Sequence, residues 1–357
     1  EAIEKSFEAP VEIHAEYLDL PDTATAPYVR RLTDLLREKY AGRPIDVVVV
    51  ARSEALNFVF QNREALFPGV PVVFTDVSRS ALGNGPAPSN ATGFFPDGGE
   101  KTVAVALDLH PDAKRVVLVG GASRFDRGVE ASARELVAKR APGLEFVSLV
   151  GLPLAQQLER LANLPEKSVV LFFSYRADTL GRSTVARDML RRFARVSKAP
   201  IYGASETFLG LGIVGGDLIR YGPLGQRAGE LTARILRGES ASAIPPIDLP
   251  SSRLMFDWRE LKRWKIDEGK LPAGSVVLYR EKTLWSEHRG GILTLFALLL
   301  LQAAVIAALL RARRSRRQAL VDLRTAEARY RTVADFTHDW EYWMRPDGSF
   351  AYVSPSC

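Results

Sequence analysis

The stretch "GGILTLFALLLLQAAVIAALLRARRSRR", residues 290–317, limits the fold more than any other part of the chain. A helix needs ~20 mostly apolar residues to cross the hydrocarbon of a bilayer. Residues 290–310 supply 21, with Thr294 and Gln302 the only polar side chains and no charge among them. Neither polar group is prohibitive in lipid. A signal peptide is excluded by the position of the run. Arg311, Arg313, Arg314, Arg316 and Arg317 follow at once, and such a cluster marks the cytoplasmic side of a span. The expectation is a long N-terminal part outside the cytoplasm and a short C-terminal part inside it.

The same cluster accounts for the charge. The formal net charge is +6, and five of those charges sit in residues 311–317. The basic balance therefore belongs to a membrane edge, where arginines also hold anionic headgroups, and no nucleic-acid partner is expected. Cys357 is the single cysteine, so the outer part has no disulfide and must be stable through packing alone. The chain opens at Glu1 without a signal peptide, which an exported protein needs, so a preceding segment is expected.

Before the apolar run, strand-like and helix-like segments alternate. Val11–Leu18 alternates as a strand does. Residues 27–40 carry a helical stripe of Val29, Leu32, Leu35 and Leu36. The valine run closing residues 45–50 reads as a strand covered on both faces. Helix 53–66 and strand 70–74 follow. After a Gly/Pro/Asn-rich break at 83–90 come strands 115–119, 144–149, 168–173 and 200–202 and helices 126–140, 154–162 and 183–196. Strand–helix alternation implies parallel sheets flanked by helices, and the break divides the pattern into two lobes. The predicted fold class is α/β.

Open parallel sheets bind ligands beyond the carboxyl ends of their strands, and two-lobed proteins bind between the lobes. The residues that follow the strands are thus the candidates for ligand contact. Ser53, Thr75 and Asp76 are expected from lobe one, and Ser123, Phe125, Tyr175, Asp178 and Glu206 from lobe two. Hydroxyls, carboxylates and two rings suit a small polar organic molecule. Arg52, Arg124 and Arg176 lie in the same loops, and a zwitterion such as an amino acid would use both signs of charge. The competing reading is ordinary: Ser or Asp before a helix is commonly just an N-cap.

Other motifs carry less. Gly210, Gly212 and Gly215 spell G-x-G-x-x-G, but Ile213 and Val214 read as strand residues and no helix opens there, so a dinucleotide site is not expected. His14, His110, His288 and His338 are scattered without a second ligand at metal spacing. There is no G-x-S-x-G nucleophile elbow. No metal, cofactor or catalytic residue is predicted. Trp258 and Trp264 are expected to pack a terminal helix, and Trp285 to sit at the membrane interface.

The run "HPDAKRVVLVGGASRFDRGVEASAREL" resembles the start of the second lobe in type I periplasmic binding proteins, in the branch similar to ABC-transporter substrate-binding proteins. "GIVGGDLIRYGPLGQRAGELTARILRGE" resembles the segment in which these proteins return to the first lobe. "SSRLMFDWRELKRWKIDEGKLPAGSVVLYREKTLW" is similar to the tail found where such a domain is fused to a membrane-bound sensor kinase. The resemblance implies a ligand-binding domain over 1–285, with lobe one at about 1–95 plus a return near 219–256, and lobe two at about 96–218. It also implies that a first strand and a ligand-facing loop precede Glu1.

Beyond the span at 290–310, Leu320, Leu323, Ala326, Tyr330 and Val333 mark one face of a linker helix over 311–336, suited to a homodimer seam. Residues 340–344 read as a strand, Arg345–Gly348 as a turn and 349–353 as the returning strand. "DWEYWMRPDGSFAYVS" resembles the first hairpin of a PAS domain, so 337–357 is expected to begin one. Together the resemblances imply a receptor of the bacterial inner membrane. Its periplasmic domain would bind a small molecule and signal through one helix to a histidine kinase with a response regulator as partner. A diguanylate cyclase output, a membrane-tethered binding protein serving a transporter and an outward-facing enzyme are the alternatives.

Overall fold

The protein is described from a computed structural model, over residues 11–20, 24–82, 89–281, 284–336 and 342–353. The chain divides into two units, Glu1–Arg280 and Glu281–Cys357.

The first unit contains two sheets. One has four parallel strands in the order β1 (Val48–Ala51), β2 (Val72–Thr75), β3 (Ala91–Asp97), β9 (Ile247–Pro250). The other has seven, in the order β11 (Val276–Leu278), β10 (Ser252–Asp257), β8 (Ile213–Ile219), β7 (Ile201–Gly203), β6 (Ser168–Phe172), β4 (Arg115–Val119), β5 (Glu145–Ser148). Its strands pair in parallel except for β10 against β8. The near-continuous apolar strands follow from cover on both faces: Val169 to Phe172 of β6 are each 1% exposed.

Helices supply that cover. On the four-stranded sheet, α1 (Ala26–Lys39) and α2 (Ser53–Leu66) bury Leu36, Leu56 and Phe58 on one face. Helix α7 (Tyr221–Leu236) places Ala228, Leu231 and Ile235 on the other. On the seven-stranded sheet, α5 (Leu154–Ala162) and α6 (Ala186–Val196) pack Leu161, Leu190 and Phe193 on one face. Helices α3 (Lys101–Leu109), α4 (Arg124–Arg140) and α8 (Trp258–Arg263) pack Val103, Val137 and Leu261 on the other. Trp264 rests partly buried against this last cluster. His110 caps the end of α3, and its Nε2 lies 2.9 Å from the Tyr202 hydroxyl.

The chain crosses between the sheets three times: after β3, between β8 and α7, and between β9 and β10. The crossing segments lie side by side. The Arg220 N–H donates to the Ser251 carbonyl at 3.0 Å, and the Gly99 N–H to Asp217 Oδ2 at 3.0 Å. Gly98, at φ +144°, is confined there, because a Cβ would stand 2.2 Å from Ser252 Cβ. The return to the first sheet spans α7 and β9 only. From Ser252 the chain is back on the second sheet, where β10 pairs with β8, so the stretch 252–256 does not lie on lobe one.

Val11–Leu18, which reads as a strand, forms none here. It lies instead beside α1, where Glu16 accepts from Lys39 and, at 2.6 Å, from the Tyr40 hydroxyl. The outer edge of β1 pairs with no strand among the described residues, and Val49 is 46% exposed despite its buried-type sequence.

In the second unit, α9 runs unbroken from Leu284 to Phe336, through both the apolar run and the predicted linker. No glycine or proline follows Gly291 within it. Among the described residues it is the one helix long and apolar enough to cross a membrane. Leu320, Leu323, Tyr330 and Val333 are all exposed on it. The hairpin β12 (Tyr342–Met344) and β13 (Phe350–Val353) matches the expected strand–turn–strand. The Trp285 side chain, His338, Trp340 and Cys357 lie outside the described residues.

Candidate functional site

The carboxyl ends of β1 and β2 face those of β4, β6 and β7 across a cleft. A continuous cavity of about 2750 Å³ occupies it and extends along the free edge of β1 to residues 11–20. A single small-molecule site has ~300–1,000 Å³. The cavity is therefore two spaces joined, the cleft and the trough beside β1.

The lobe-two wall is tightly built. Ser123 is the N-cap of α4 and forms a reciprocal capping box with Asp126. Asp126 is 1% exposed yet fully partnered. Its carboxylate accepts from the Ser123 hydroxyl at 2.7 Å, the Ser123 N–H at 3.2 Å, the Ser174 hydroxyl at 2.5 Å and the Arg176 N–H at 3.1 Å. One buried carboxylate thus ties the loop after β4 to the loop after β6. The result is to aim Arg176: its guanidinium carbon stands 3.3 Å from the centre of the Phe125 ring, and Nη1 donates across the cleft to Glu54 Oε1. Burial, opposed by the Glu54 carboxylate, moves the Arg176 pKa down.

The lobe-one wall is looser. Arg52 and Asp76 both have left-handed backbone, at φ 77° and 54°. Arg52 Nε is 3.9 Å from Asp76 Oδ2, beyond hydrogen-bond range. Burial raises the Asp76 pKa, with Arg52 and Arg176 opposing. Thr75 Oγ1 is buried without a hydrogen-bond partner. At the crossing, the Tyr221 pKa is raised first by burial and then by the nearby Asp76 charge.

The structure redistributes the predicted site residues. Thr75, Asp76 and Phe125 line the cleft. Ser123 lines it too, but its hydroxyl is committed to the cap. Ser53 does not line it: its Oγ accepts from the Ser78 N–H at 3.1 Å. Glu206 does not either, since its carboxylate takes the Tyr221 N–H at 2.7 Å. Tyr175 borders the cavity, but it is 2% exposed and packed in the core, 5.9 Å from the Phe193 ring. Asp178 borders the cavity, but its carboxylate is engaged locally by the Arg182 guanidinium and by the N–H groups of Arg182 and Leu180, which hold its pKa down. The groups brought together instead include Arg52, Glu54, Arg176 and Tyr221. Among the described residues no cluster of three metal-ligating side chains occurs.

No protein-family model matches the chain. A curated tyrosine-binding protein of Clostridioides difficile is 25% identical over 178 residues, and the chain spans about half of that relative's length, 49%, using 50% of its own. The solved structures that share the architecture include three with TM-scores above 0.5. A conserved domain protein from Vibrio cholerae has a TM-score of 0.54 at 19% identity, over 70% of this chain and 83% of that one. A ligand-free, open substrate binding protein with adhesive properties from Clostridium difficile has 0.53 at 18%, over 71% and 84%. A streptococcal ABC domain in complex with L-Trp has 0.53 at 15%, over 70% and 86%. The fold of the first unit is thereby that of the type I periplasmic binding proteins: two helix-flanked, mainly parallel sheets joined by three crossings around a cleft.

Proposed function

We propose that the first unit is a receptor for a small zwitterionic molecule of the amino-acid class, bound in the interlobe cleft. The observation that carries this reading is the pairing of charges in the cleft. Two guanidinium groups, Arg52 and Arg176, and two carboxylates, Glu54 and Asp76, meet beside the Phe125 ring at the ends of the strands. Such a site pairs both ends of an amino acid and leaves neither sign in excess. The tyrosine-binding relative and the L-Trp complex support the same class.

The wider reading is a membrane receptor. The apolar part of α9 spans the inner membrane, the arginine cluster is cytoplasmic, and the hairpin at 342–353 opens a PAS module of a sensor kinase dimer that addresses a response regulator. Closure of the lobes on ligand is favoured because only the closed state touches the ligand from both sides. A second reading, a membrane-tethered substrate-binding protein of a transporter, is favoured by the substrate-binding relative of the same fold. Isothermal titration of the full chain in nanodiscs with the twenty L-amino acids and a panel of neutral sugars tests the ligand class. Binding of one or a few amino acids is expected; binding of neutral sugars alone contradicts it. Phosphorylation of a response regulator that changes with the bound amino acid separates the receptor from the tethered binding protein.

A further inference from the structure

The Arg176–Glu54 ion pair joins the lobes at the place where a ligand must bind. Glu54 lies in the first turn of α2 on lobe one, and Arg176 in the loop after β6 on lobe two. Glu54 is the one acceptor the Arg176 guanidinium reaches among the described residues, and it does so through Nη1 alone. A guanidinium has five N–H donors and prefers a two-pronged hold on a carboxylate. The pair is also partly open to solvent, with side-chain exposures of 27% and 38%, so it contributes little by itself. Arg176 cannot retreat, since Asp126 fixes its backbone and Phe125 lies against its face.

We infer that an amino-acid ligand inserts into this ion pair, its carboxylate taking Arg176 and its ammonium taking Glu54. The inference rests on the amino-acid reading of the cleft. One interlobe pair becomes two pairs that bridge the lobes through the ligand, and no charge is left unpaired. Ligands with one charge lose on this arrangement. A carboxylate alone takes Arg176 and strands Glu54, whereas an amine alone takes Glu54 and strands Arg176. A stranded, partly buried charge is more costly than a missing contact. Arg52 and Asp76, 3.9 Å apart, lie within electrostatic reach of this pair and add one charge of each sign beside it.

The test compares three probes with one ring: L-tyrosine, tyramine and 4-hydroxyphenylpropionate, titrated into the full chain in nanodiscs. Wild type is expected to bind L-tyrosine about tenfold or more tighter than either singly charged probe. Glu54→Gln should weaken L-tyrosine and tighten 4-hydroxyphenylpropionate, and Arg176→Gln should weaken L-tyrosine and tighten tyramine. In ligand-free protein, the distance between spin labels at Gln61→Cys and Lys139→Cys, in a Cys357→Ser background, should lengthen or broaden in either variant. If L-tyrosine binds wild type but neither substitution shifts the ranking of the three probes, insertion is wrong and the amino-acid reading survives. If the label distance is unchanged by either substitution and none of the three probes binds wild type, insertion is overturned, while the amino-acid reading stands or falls on the titration with the twenty L-amino acids.

Discussion

The two walls of the cleft differ in how far they are finished before a ligand arrives. On lobe two, Asp126 is buried with four hydrogen-bond donors on it, and everything it touches is held in place. On lobe one, Arg52 and Asp76 sit 3.9 Å apart on left-handed backbone, and Thr75 has a buried hydroxyl with no partner. A preorganised wall sets geometry; an unsatisfied wall stores interactions that a ligand can complete. Substitutions on lobe two should therefore act on stability as well as binding, and those on lobe one mainly on binding.

The largest effect is expected just beneath the lobe-two wall. Tyr175→Ala removes a ring that is 2% exposed in the core and should cost ~3–5 kcal/mol, seen as a fall in the denaturation midpoint of the first unit. A loss below ~1 kcal/mol would mean the ring is not core, and would weaken the contrast between the walls. Next is Asp126→Asn. The amide cannot accept at both atoms, so the loops after β4 and β6 come apart, at a cost of ~1.5–3 kcal/mol. Faster hydrogen exchange across 122–126 and 174–176 should accompany it.

The smallest effect is on lobe one and has the opposite sign. Burial holds the folded-state pKa of Asp76 above its usual 3.8, so the folded state favours the protonated form. That contribution is full below the unfolded pKa and is lost as pH rises through the folded one. Asp76→Asn should therefore match wild type in acid and melt higher near neutral pH, by about 2 °C, while binding amino acids more weakly. A variant that melts lower at neutral pH would place Asp76 in a finished network like that of Asp126.

This contrast also explains how much was legible in the sequence. Periodicity reads α1, α2 and α4 to α6 and most strands, because apolar runs such as Val169–Phe172 and stripes such as Leu32 and Leu36 follow burial, but it does not read α3, and α7 enters only through the resemblance. The position of the site follows too, since it lies at strand ends. The side chains within it do not follow, because neighbours one residue apart point to opposite sides. Tyr175 enters the core and Arg176 the cleft; Ser53 turns to Ser78 and Glu54 to Arg176. Arg52 and Arg176 were visible as loop charges, but Glu54 looks like an ordinary acid in a first helical turn, and Tyr221, two residues past the end of β8, looks like the first residue of a helix. Val11–Leu18 alternates correctly for a strand, but alternation needs a neighbouring edge to pair with, and β1 does not approach it in register.

Hydrogen exchange of the full chain in nanodiscs, with and without a saturating mixture of L-amino acids, tests the central claim most directly. The account predicts new protection in four short stretches from both sheets, 51–54, 75–76, 122–126 and 174–177, with the remainder of both lobes unchanged. Protection confined to one lobe, or to the trough along 11–20 and β1, would contradict an amino-acid site between the lobes.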